Sequence, residues 1–539
     1  MRSFVDILLI SALVLVAPCA SCEDPVTPDP PTPSGPTEIK LSQTSFSVDK
    51  AGATLSLEVT APNRPSVSGL PSWISLVDGT YSNYKITYGF NVAANESYEQ
   101  RSATVYVSCV GASAQSLTVT QEAAENPSPT PTPTLDPVPT PGDNAAWKMA
   151  ATLGLGWNLG NQMDGYYNGP WAGEKEGYPE ECVWQPDNSS IATQATFNGA
   201  KDAGFTTVRI PVSWLKMIGP APEYKIDEAW MARVKEIVGY AHNVGLNVII
   251  NTHHDENHGT DNTYQWQDIK KAVDDSELND AIKDKIRGVW TNIATAFADC
   301  GDWLIMEGFN EINDGGWGWS EDFRRDPTRQ CNILNDWNQV FVDAVRATGG
   351  NNASRWLSVP TYAANPQFLD YFRLPDDPSG RLMASVHFYD PSDYTILEKQ
   401  YSDWGHTGDA NKKASGGDED HVQQVFGKLF SELVDKGVPC YVGEFGASVR
   451  SKSDSRAWLF YLYYMEFMVK AAKSYGLPCF IWDNGAIGAG REKHGYIHHG
   501  TGAFMGDAGD VVAVMNKAWW TESEDYTLQT VFDSAPKSN

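Results

Sequence analysis

The chain has 539 residues and a formal net charge of −28, from 40 Lys and Arg against 68 Asp and Glu. Hydrophobic residues make up 41% and aromatic residues 12% of the chain, which excludes wholesale disorder. The acidic balance argues against nucleic acid or an anionic membrane surface as a partner. The length predicts three or four domains at about 150 residues each, although one barrel can absorb about 250 residues or more.

The N-terminus has the pattern of an export signal. Arg2 supplies positive charge, and residues 7–17 form an almost unbroken apolar run that is too short to span a bilayer. The small residues before Cys22 resemble a bacterial lipobox, and the two acidic residues after it resemble the tag of surface-exported lipoproteins of the Bacteroidetes. This resemblance implies a signal peptide over 1–21, lipidation of Cys22 and a lipoprotein at the surface of the outer membrane. Cleavage by ordinary signal peptidase is the alternative.

Two proline-rich stretches, 22–37 and 126–144, separate the rest of the chain into two regions. Such segments favour extended polyproline II, and we expect both to act as semi-rigid spacers. The domain prediction is therefore a small region over 38–125 and a large one over 145–539.

The region 38–125 alternates apolar and polar residues in many short runs, which predicts a small all-β, immunoglobulin-like sandwich. The motifs SFSV at 45–48, LPSWI at 70–74 and LTVTQE at 117–122 resemble the BACON domain, whose name stands for Bacteroidetes-associated carbohydrate-binding often N-terminal. The resemblance implies sugar binding. Because Trp73 lies inside an apolar run, we expect it to pack in the core and favour a spacer role over glycan binding.

From residue 145 onward, apolar strand-like runs alternate with segments of helical period. The predicted strands are residues 154–159, 207–211, 246–251, 303–309, 356–360, 382–387, 439–445 and 479–482. The predicted helices include residues 195–203, 228–244, 278–297, 332–347, 422–436 and 455–475. Eight such βα units predict an α/β fold of the TIM type, a (β/α)8 barrel.

Polar residues follow nearly every predicted strand, where the catalytic residues of such barrels lie. They are Asn158, Asn161, Arg209, His253, His254, Asp255, Asn310, Glu311, His387, Tyr389, Glu444, Trp482, Asp483 and Asn484. Glu311 and Glu444 each follow a hydrophobic run, on strands at roughly opposite sides of the barrel mouth. Glycoside hydrolysis needs such a pair of carboxyl groups with unequal pKa values.

The motifs around these residues resemble glycoside hydrolase family 5. They are GWNLGN at 156–161, VRIPVSW at 208–214, NTHHD at 251–255, FNE at 309–311, HFYDP at 387–391, GEFG at 443–446 and WDNG at 482–485. Together with DGGWGW at 314–319, they look most like the subfamily of endo-β-1,4-glucanases, xyloglucanases and lichenases. The family usually has proline after its acid/base glutamate and two aromatics before its final aspartate, whereas this chain has Ile312, and Ile481 before Trp482.

The resemblance implies a retaining double displacement with Glu311 as acid/base and Glu444 as nucleophile, about 5–5.5 Å apart. It implies that Asn310 binds the sugar 2-hydroxyl and that Arg209 and Tyr389 keep Glu444 ionised and aimed. The remaining residues implied to bind or support substrate are Asn161, His253, His254, His387 and the stacking floor Trp482.

Aromatic loop residues are candidate sugar platforms, because pyranose faces are apolar. The candidates are Tyr166, Tyr167, Trp171, Trp184, Trp266, Trp317, Trp319 and Trp404, and we expect about half of them in the cleft. Trp214 is expected to be packing. A neutral β-1,4-glucan fits the acidic chain, and we expect xyloglucan, with cellulose, mixed-linkage glucan and mannan as alternatives.

Two other classes of protein remain open. The run from His253 to Glu256 suggests a metallohydrolase, but it lacks the helical HExxH spacing. A surface-anchored glycan-binding protein without activity would fit the aromatics but does not require two glutamates. The cysteines at 109, 182, 300, 331, 440 and 479 form no CxxC pair, so we expect small buried residues there rather than a zinc site. We expect a monomer that needs no cofactor and no metal.

Overall fold

The computed structural model describes residues 35–97, 99–124, 134–166, 181, 183–186, 190–258, 264–397 and 401–537. These residues belong to two compact units, with the division between Thr132 and Pro133. The predicted signal peptide and Cys22 lie outside the described residues.

The first unit is a sandwich of two four-stranded sheets, in the strand orders β1-β3-β6-β5 and β2-β8-β7-β4. Its strands are β1 Lys40–Leu41, β2 Ser45–Val48, β3 Ala53–Thr60, β4 Ser66–Ser68, β5 Ile74–Val77, β6 Lys85–Val92, β7 Arg101–Cys109 and β8 Ala112–Gln121. Alternate residues of these strands point inward, and Leu57, Phe90 and Val107 are 0% exposed. Trp73 is half-buried against this core, with the guanidinium of Arg101 4.5 Å above its ring. The predicted all-β sandwich is confirmed.

The second unit contains a closed barrel of eight parallel strands. They are β9 Leu155–Asn158, β10 Thr207–Ile210, β11 Asn247–Asn251, β12 Leu304–Glu307, β13 Leu357–Pro360, β14 Leu382–Phe388, β15 Cys440–Phe445 and β16 Cys479–Ile481. Each observed strand lies on one predicted strand, to within two residues at either end. The runs are apolar on both faces because the barrel interior and the surrounding helices both bury them. The predicted (β/α)8 barrel is confirmed.

Helices cover the barrel, and several begin at a side-chain cap such as Asn144, which accepts from Ala146 and Trp147. They are α1 Ala145–Leu153, α2 Gln194–Asp202, α3 Glu228–Asn243, α4 Ile269–Ala272, α5 Ser276–Ala296, α6 Glu321–Arg325, α7 Pro327–Ala347, α8 Ser392–Thr395, α9 Glu419–Leu429, α10 Ser455–Ser474, α11 Ala508–Trp520 and α12 Leu528–Asp533. Among the helices of the described residues, none combines the length and apolar composition needed to cross a bilayer.

Part of the second proline-rich stretch packs on the barrel. Leu135 lies against the hydrophobic core of the second unit, and its amide donates to Oε1 of Gln529 at 3.1 Å. The side chain of Gln423 accepts from the amide of Asp136 at 3.0 Å and donates to its carbonyl oxygen at 3.0 Å. Part of the stretch 126–144, which the sequence predicts to be a semi-rigid spacer, therefore packs on the barrel.

Five of the six cysteines of the two predicted domains are among the described residues, and all five are free thiols. Cys331, Cys440 and Cys479 are buried, as expected of small core residues, whereas Cys109 and Cys300 are partly exposed. Cys182 lies outside the described residues.

Candidate active site

The carboxyl ends of the barrel strands open into a cavity of about 600 Å³. Glu311 lies four residues beyond β12 and Glu444 lies within β15, and both line this cavity. One carboxylate oxygen of Glu311 and one of Glu444 lie within 4.8 Å of each other. The two glutamates predicted from the sequence are thus brought together across the mouth of the barrel.

Arg209 is the centre of the buried polar network below the cavity. Its guanidinium is 0% exposed and donates to Glu307 Oε2 at 2.7 Å and to Glu444 Oε1 at 2.8 Å. It also donates to Asn158 Oδ1 at 3.1 Å and Asn310 Oδ1 at 2.8 Å. Because the amide oxygen of Asn310 accepts from Arg209, the NH2 group of that side chain remains as the donor for a ligand.

Glu444 is held as an acceptor on both of its oxygens. Arg209 donates to Oε1, and the hydroxyl of Tyr389 donates to Oε2 at 3.1 Å. His387 pairs with Glu444 across β14 and β15 after a register shift, which places its Nδ1 3.6 Å from Oε2. Burial raises the pKa of Glu444, and the positive charge of Arg209 counters that rise by stabilising the carboxylate.

Glu311 has a different environment. Its Oε1 lies 2.7 Å from Nδ1 of His387, and its side chain is 16% exposed. Burial and the nearby charge of Glu256 raise the pKa of Glu311 to about 7. Burial lowers the pKa of His387 to about 4, so this imidazole is neutral near pH 7 and does not offset the raised pKa of Glu311 by its charge. The site therefore favours a protonated Glu311 beside Glu444.

His253 and His254 line the cavity close to Asp164, with each Nε2 3.8–3.9 Å from Oδ2 of Asp164. Asn251 donates to Nδ1 of His253 at 3.1 Å, so the ring proton of the neutral His253 is on Nε2. Burial disfavours the cation of His254, but its hydrogen bond to Glu256 raises its pKa to about 9 and keeps both ring nitrogens protonated. The Nε2 atoms of both imidazoles therefore face Asp164, and the three side chains form one cluster.

Trp482 and Asn161 lie where the sequence predicts them. The ring of Trp482 lines the cavity and is parallel to that of His253, at 3° and a centroid distance of 5.8 Å. Asn161 follows β9 with a φ of 54°, and its backbone N–H donates to Oδ2 of Asp164 at 3.1 Å. The close approach of Gly160 to the Trp482 ring leaves no room for a Cβ atom there.

About half of the described aromatic candidates line the cavity. Trp184, Trp317 and Trp319 do so, and the last two are 46% and 62% exposed. Trp404 is 1% exposed and packs in the core, so it is not a platform. Tyr166 contacts Trp184, and Trp266 packs against the core. Trp214 is buried, as expected. Tyr167 and Trp171 lie outside the described residues.

Sequence reasoning missed the residues that support Arg209. Glu307 accepts from Arg209, from Asn251 at 3.1 Å and from the hydroxyl of Tyr441 at 2.9 Å, and it is 0% exposed. The available signal was a glutamate within the apolar run from Leu304 to Glu307, because a buried carboxylate requires partners. Arg209, within the predicted strand 207–211, was a candidate partner.

The two departures from the family pattern lie at Ile312 and Ile481. Ile312 is 0% exposed, and its carbonyl accepts from the amide of Ala363 at 2.9 Å. Ile481 is 0% exposed at the end of β16. Both side chains therefore belong to the core.

Residues 169–488 match the cellulase family, glycosyl hydrolase family 5, and residues 66–122 match the BACON family of N-terminal domains. Endoglucanase A of Paenibacillus barcinonensis is 35% identical over 365 residues, which cover 65% of this chain and 84% of that protein. The solved structure of a GH5-4 broad specificity endoglucanase from Bacteroides salanitronis is 46% identical, with a TM-score of 0.65 over 71% of this chain and 97% of that chain.

A xyloglucan-specific endo-beta-1,4-glucanase of Bacteroides ovatus is 29% identical over 466 residues, covering 84% of this chain and 87% of that protein. The barrel and its relatives define the protein as a glycosidase. The chain belongs to glycosyl hydrolase family 5, with a BACON domain before its catalytic barrel.

Proposed function

We propose that this protein is a retaining endo-β-1,4-glucanase that cleaves plant cell-wall β-glucan. The observation that carries the proposal is the pair Glu311 and Glu444, with oxygens within 4.8 Å and different hydrogen-bond partners. Retaining glycosidases hold their two carboxyl groups about 5–5.5 Å apart, whereas inverting enzymes leave about 6.5–9.5 Å for a water molecule. Oxygens within 4.8 Å are consistent with the shorter range, in which one carboxylate attacks the sugar directly.

The different surroundings of Glu444 and Glu311 suit them to different catalytic roles. Glu444 is the nucleophile, because Arg209 and Tyr389 bind its oxygens and aim the carboxylate at the anomeric carbon. Glu311 is the acid, because its raised pKa keeps the proton that the leaving oxygen needs. After the leaving group departs, ionised Glu311 takes a proton from water, and that water releases the sugar from Glu444 with net retention.

Xyloglucan is the substrate that we propose. Exposed Trp317 and Trp319 widen the apolar lining beyond the catalytic pair, which suits a glucan with branches. The relative from Bacteroides ovatus, whose name specifies xyloglucan, aligns with 84% of this chain. A neutral polysaccharide also matches a chain of net charge −28, which would repel a polyanion.

A second candidate is an enzyme that accepts several β-glucans. The relative from Bacteroides salanitronis is described as a broad specificity endoglucanase and is 46% identical to this chain. This candidate predicts similar rates of hydrolysis on xyloglucan, cellulose and mixed-linkage glucan. A mannanase is a further alternative. A non-catalytic glycan-binding role is the candidate from a different class. Sugar binding alone does not require the buried ion pair of Arg209 and Glu444.

We also propose that the protein acts as a monomeric lipoprotein at the outer-membrane surface, anchored through Cys22. The apolar run at 7–17 and the small residues before Cys22 support this. If Cys22 is lipidated, Cys22→Ala should move the protein from the membrane fraction to the soluble fraction. An unchanged membrane fraction would contradict the anchor.

The activity test uses protein without residues 1–21 on xyloglucan, carboxymethylcellulose, barley β-glucan and glucomannan. Release of reducing ends, with products of several lengths, is expected on xyloglucan first, and NMR should show the β-anomer forming first. Glu311→Gln and Glu444→Gln should each abolish release while leaving binding intact. Glu419→Gln is the matched control, since Glu419 is also buried and paired with a histidine, His406 at 3.0 Å, in contacts away from the cavity. Failure on all four polysaccharides would refute the proposal.

A further inference from the structure

A fully buried asparagine, Asn313, lies between Glu311 and Trp317 in the loop after β12. Its Nδ2 donates to the carbonyl oxygen of Glu311 at 2.7 Å and lies 3.2 Å from Nε2 of His258. Its Oδ1 accepts from the amides of Gly315 at 2.8 Å and Trp317 at 3.3 Å. A side-chain amide has two hydrogens and two main acceptor positions, so the bonding capacity of Asn313 is filled. Its carboxamide therefore connects the acid residue to the backbone of an aromatic platform.

The backbone near Trp317 needs this support. Trp317 has a φ of 53°, a conformation that costs a non-glycine residue roughly 1–3 kcal/mol. Gly315 has a φ of 85°, and a Cβ atom there would lie 2.8 Å from the carbonyl oxygen of His258. The rings of His258 and Trp317 are 5.7 Å apart. The loop is therefore packed tightly on His258 and is held in its conformation by Asn313.

We propose that Asn313 is a positioning residue that couples the acid/base Glu311 to the sugar platform Trp317. This inference rests on the proposed function. The Nδ2 side of the amide fixes the main chain of Glu311, and the Oδ1 side fixes the main chain of Trp317. A sugar stacked on Trp317 is then kept at a constant distance from the proton of Glu311, and small errors in such a distance are costly for the rate.

The two halves of the amide are separable by substitution. Asn313→Ala removes all four contacts, whereas Asn313→Asp keeps acceptors for Gly315 and Trp317 and loses both donors. We expect Asn313→Ala to lower kcat at saturating substrate by about tenfold and to weaken oligosaccharide binding as much as Trp317→Ala does. We expect Asn313→Asp to show the lowered kcat with nearly parental binding. Binding is measured by calorimetry with a xyloglucan oligosaccharide in a Glu444→Gln background, where no hydrolysis intervenes.

A double-mutant cycle distinguishes coupling from a general loss of structure. In the Trp317→Ala background, Asn313→Ala should cause no further loss of binding, because the platform is already absent. A merely structural role would weaken binding again in that background. Asn352→Asp is the matched control, since Asn352 is also 0% exposed and donates to Ala294 at 2.8 Å outside the cavity. We expect it to keep the parental kcat and affinity.

Several results would overturn the coupling. They are an unchanged kcat in Asn313→Ala, a binding loss in Asn313→Asp as large as in Asn313→Ala, or full additivity with Trp317→Ala. If Asn313→Ala does not fold, His258→Ala should weaken binding in the same non-additive way, and additivity there would also refute the coupling. An inactive parent enzyme would instead refute the proposed function, whereas an active parent with these results would refute the coupling alone.

Discussion

Replacing Glu311 by glutamine should stabilise the barrel at high pH and much less at low pH. The pKa of Glu311 rises from an ordinary 4.5 to about 7 because the carboxyl group is buried beside Glu256. Between these two values the folded state keeps a proton that the unfolded chain releases, so stability falls as the pH rises through this window. Glutamine has the same shape and no charge to bury.

The size of the effect follows from the difference in pKa. A carboxyl group with a pKa of about 7 in the folded state and 4.5 in the unfolded state costs the fold about 3 kcal/mol when ionised above pH 7. At pH 5 the same difference in pKa lowers the stability of the fold by less than about 1 kcal/mol. Glu311→Gln should therefore gain about 2–3 kcal/mol of unfolding free energy, relative to the parent, between pH 5 and pH 8.

Urea unfolding followed by tryptophan fluorescence measures this difference. Trp73 is the single tryptophan of residues 38–125, so the signal reports almost entirely on the barrel. Glu444→Gln is the contrasting variant, because it leaves the buried charge of Arg209 with one partner fewer and should destabilise at both pH values. If the stability gain of Glu311→Gln is the same at pH 5 and pH 8, Glu311 is not held protonated and its assignment as the acid loses its physical basis.

Three further outcomes are expected. With Glu311 as the acid, kcat/KM should fall about tenfold per pH unit above about pH 7, and a profile flat to pH 9 would contradict this. Glu307→Gln should cost about 3–5 kcal/mol in urea unfolding and lower kcat, because it removes a charged partner of buried Arg209; unchanged stability would contradict the network. Trp319→Ala should raise KM on xyloglucan and change the free energy of unfolding by no more than about 0.5 kcal/mol. Trp404→Ala should lower the free energy of unfolding by about 3–5 kcal/mol with no direct effect on KM. The reverse pattern would contradict the assignment of Trp319 to the cleft and Trp404 to the core.

The sequence by itself determined the barrel and the identity of its two glutamates. Strands of a buried parallel sheet are apolar on both faces, so eight continuous apolar runs stood out from the helical segments between them. Residues at the carboxyl ends of those runs must share one mouth, whatever the loop conformations. This is why the sequence alone places Glu311, Glu444 and Arg209 in one site.

The tertiary structure alone decided the second layer of the site. Glu307 and Glu311 occur in one short segment, and only the barrel interior shows that the first binds Arg209 while the second faces the cavity. Trp404 and Trp319 are both tryptophans on long loops, yet one is buried and the other is 62% exposed. The physical reason is that strand patterns follow from local burial, whereas the partners of a loop side chain come from segments far away in the chain.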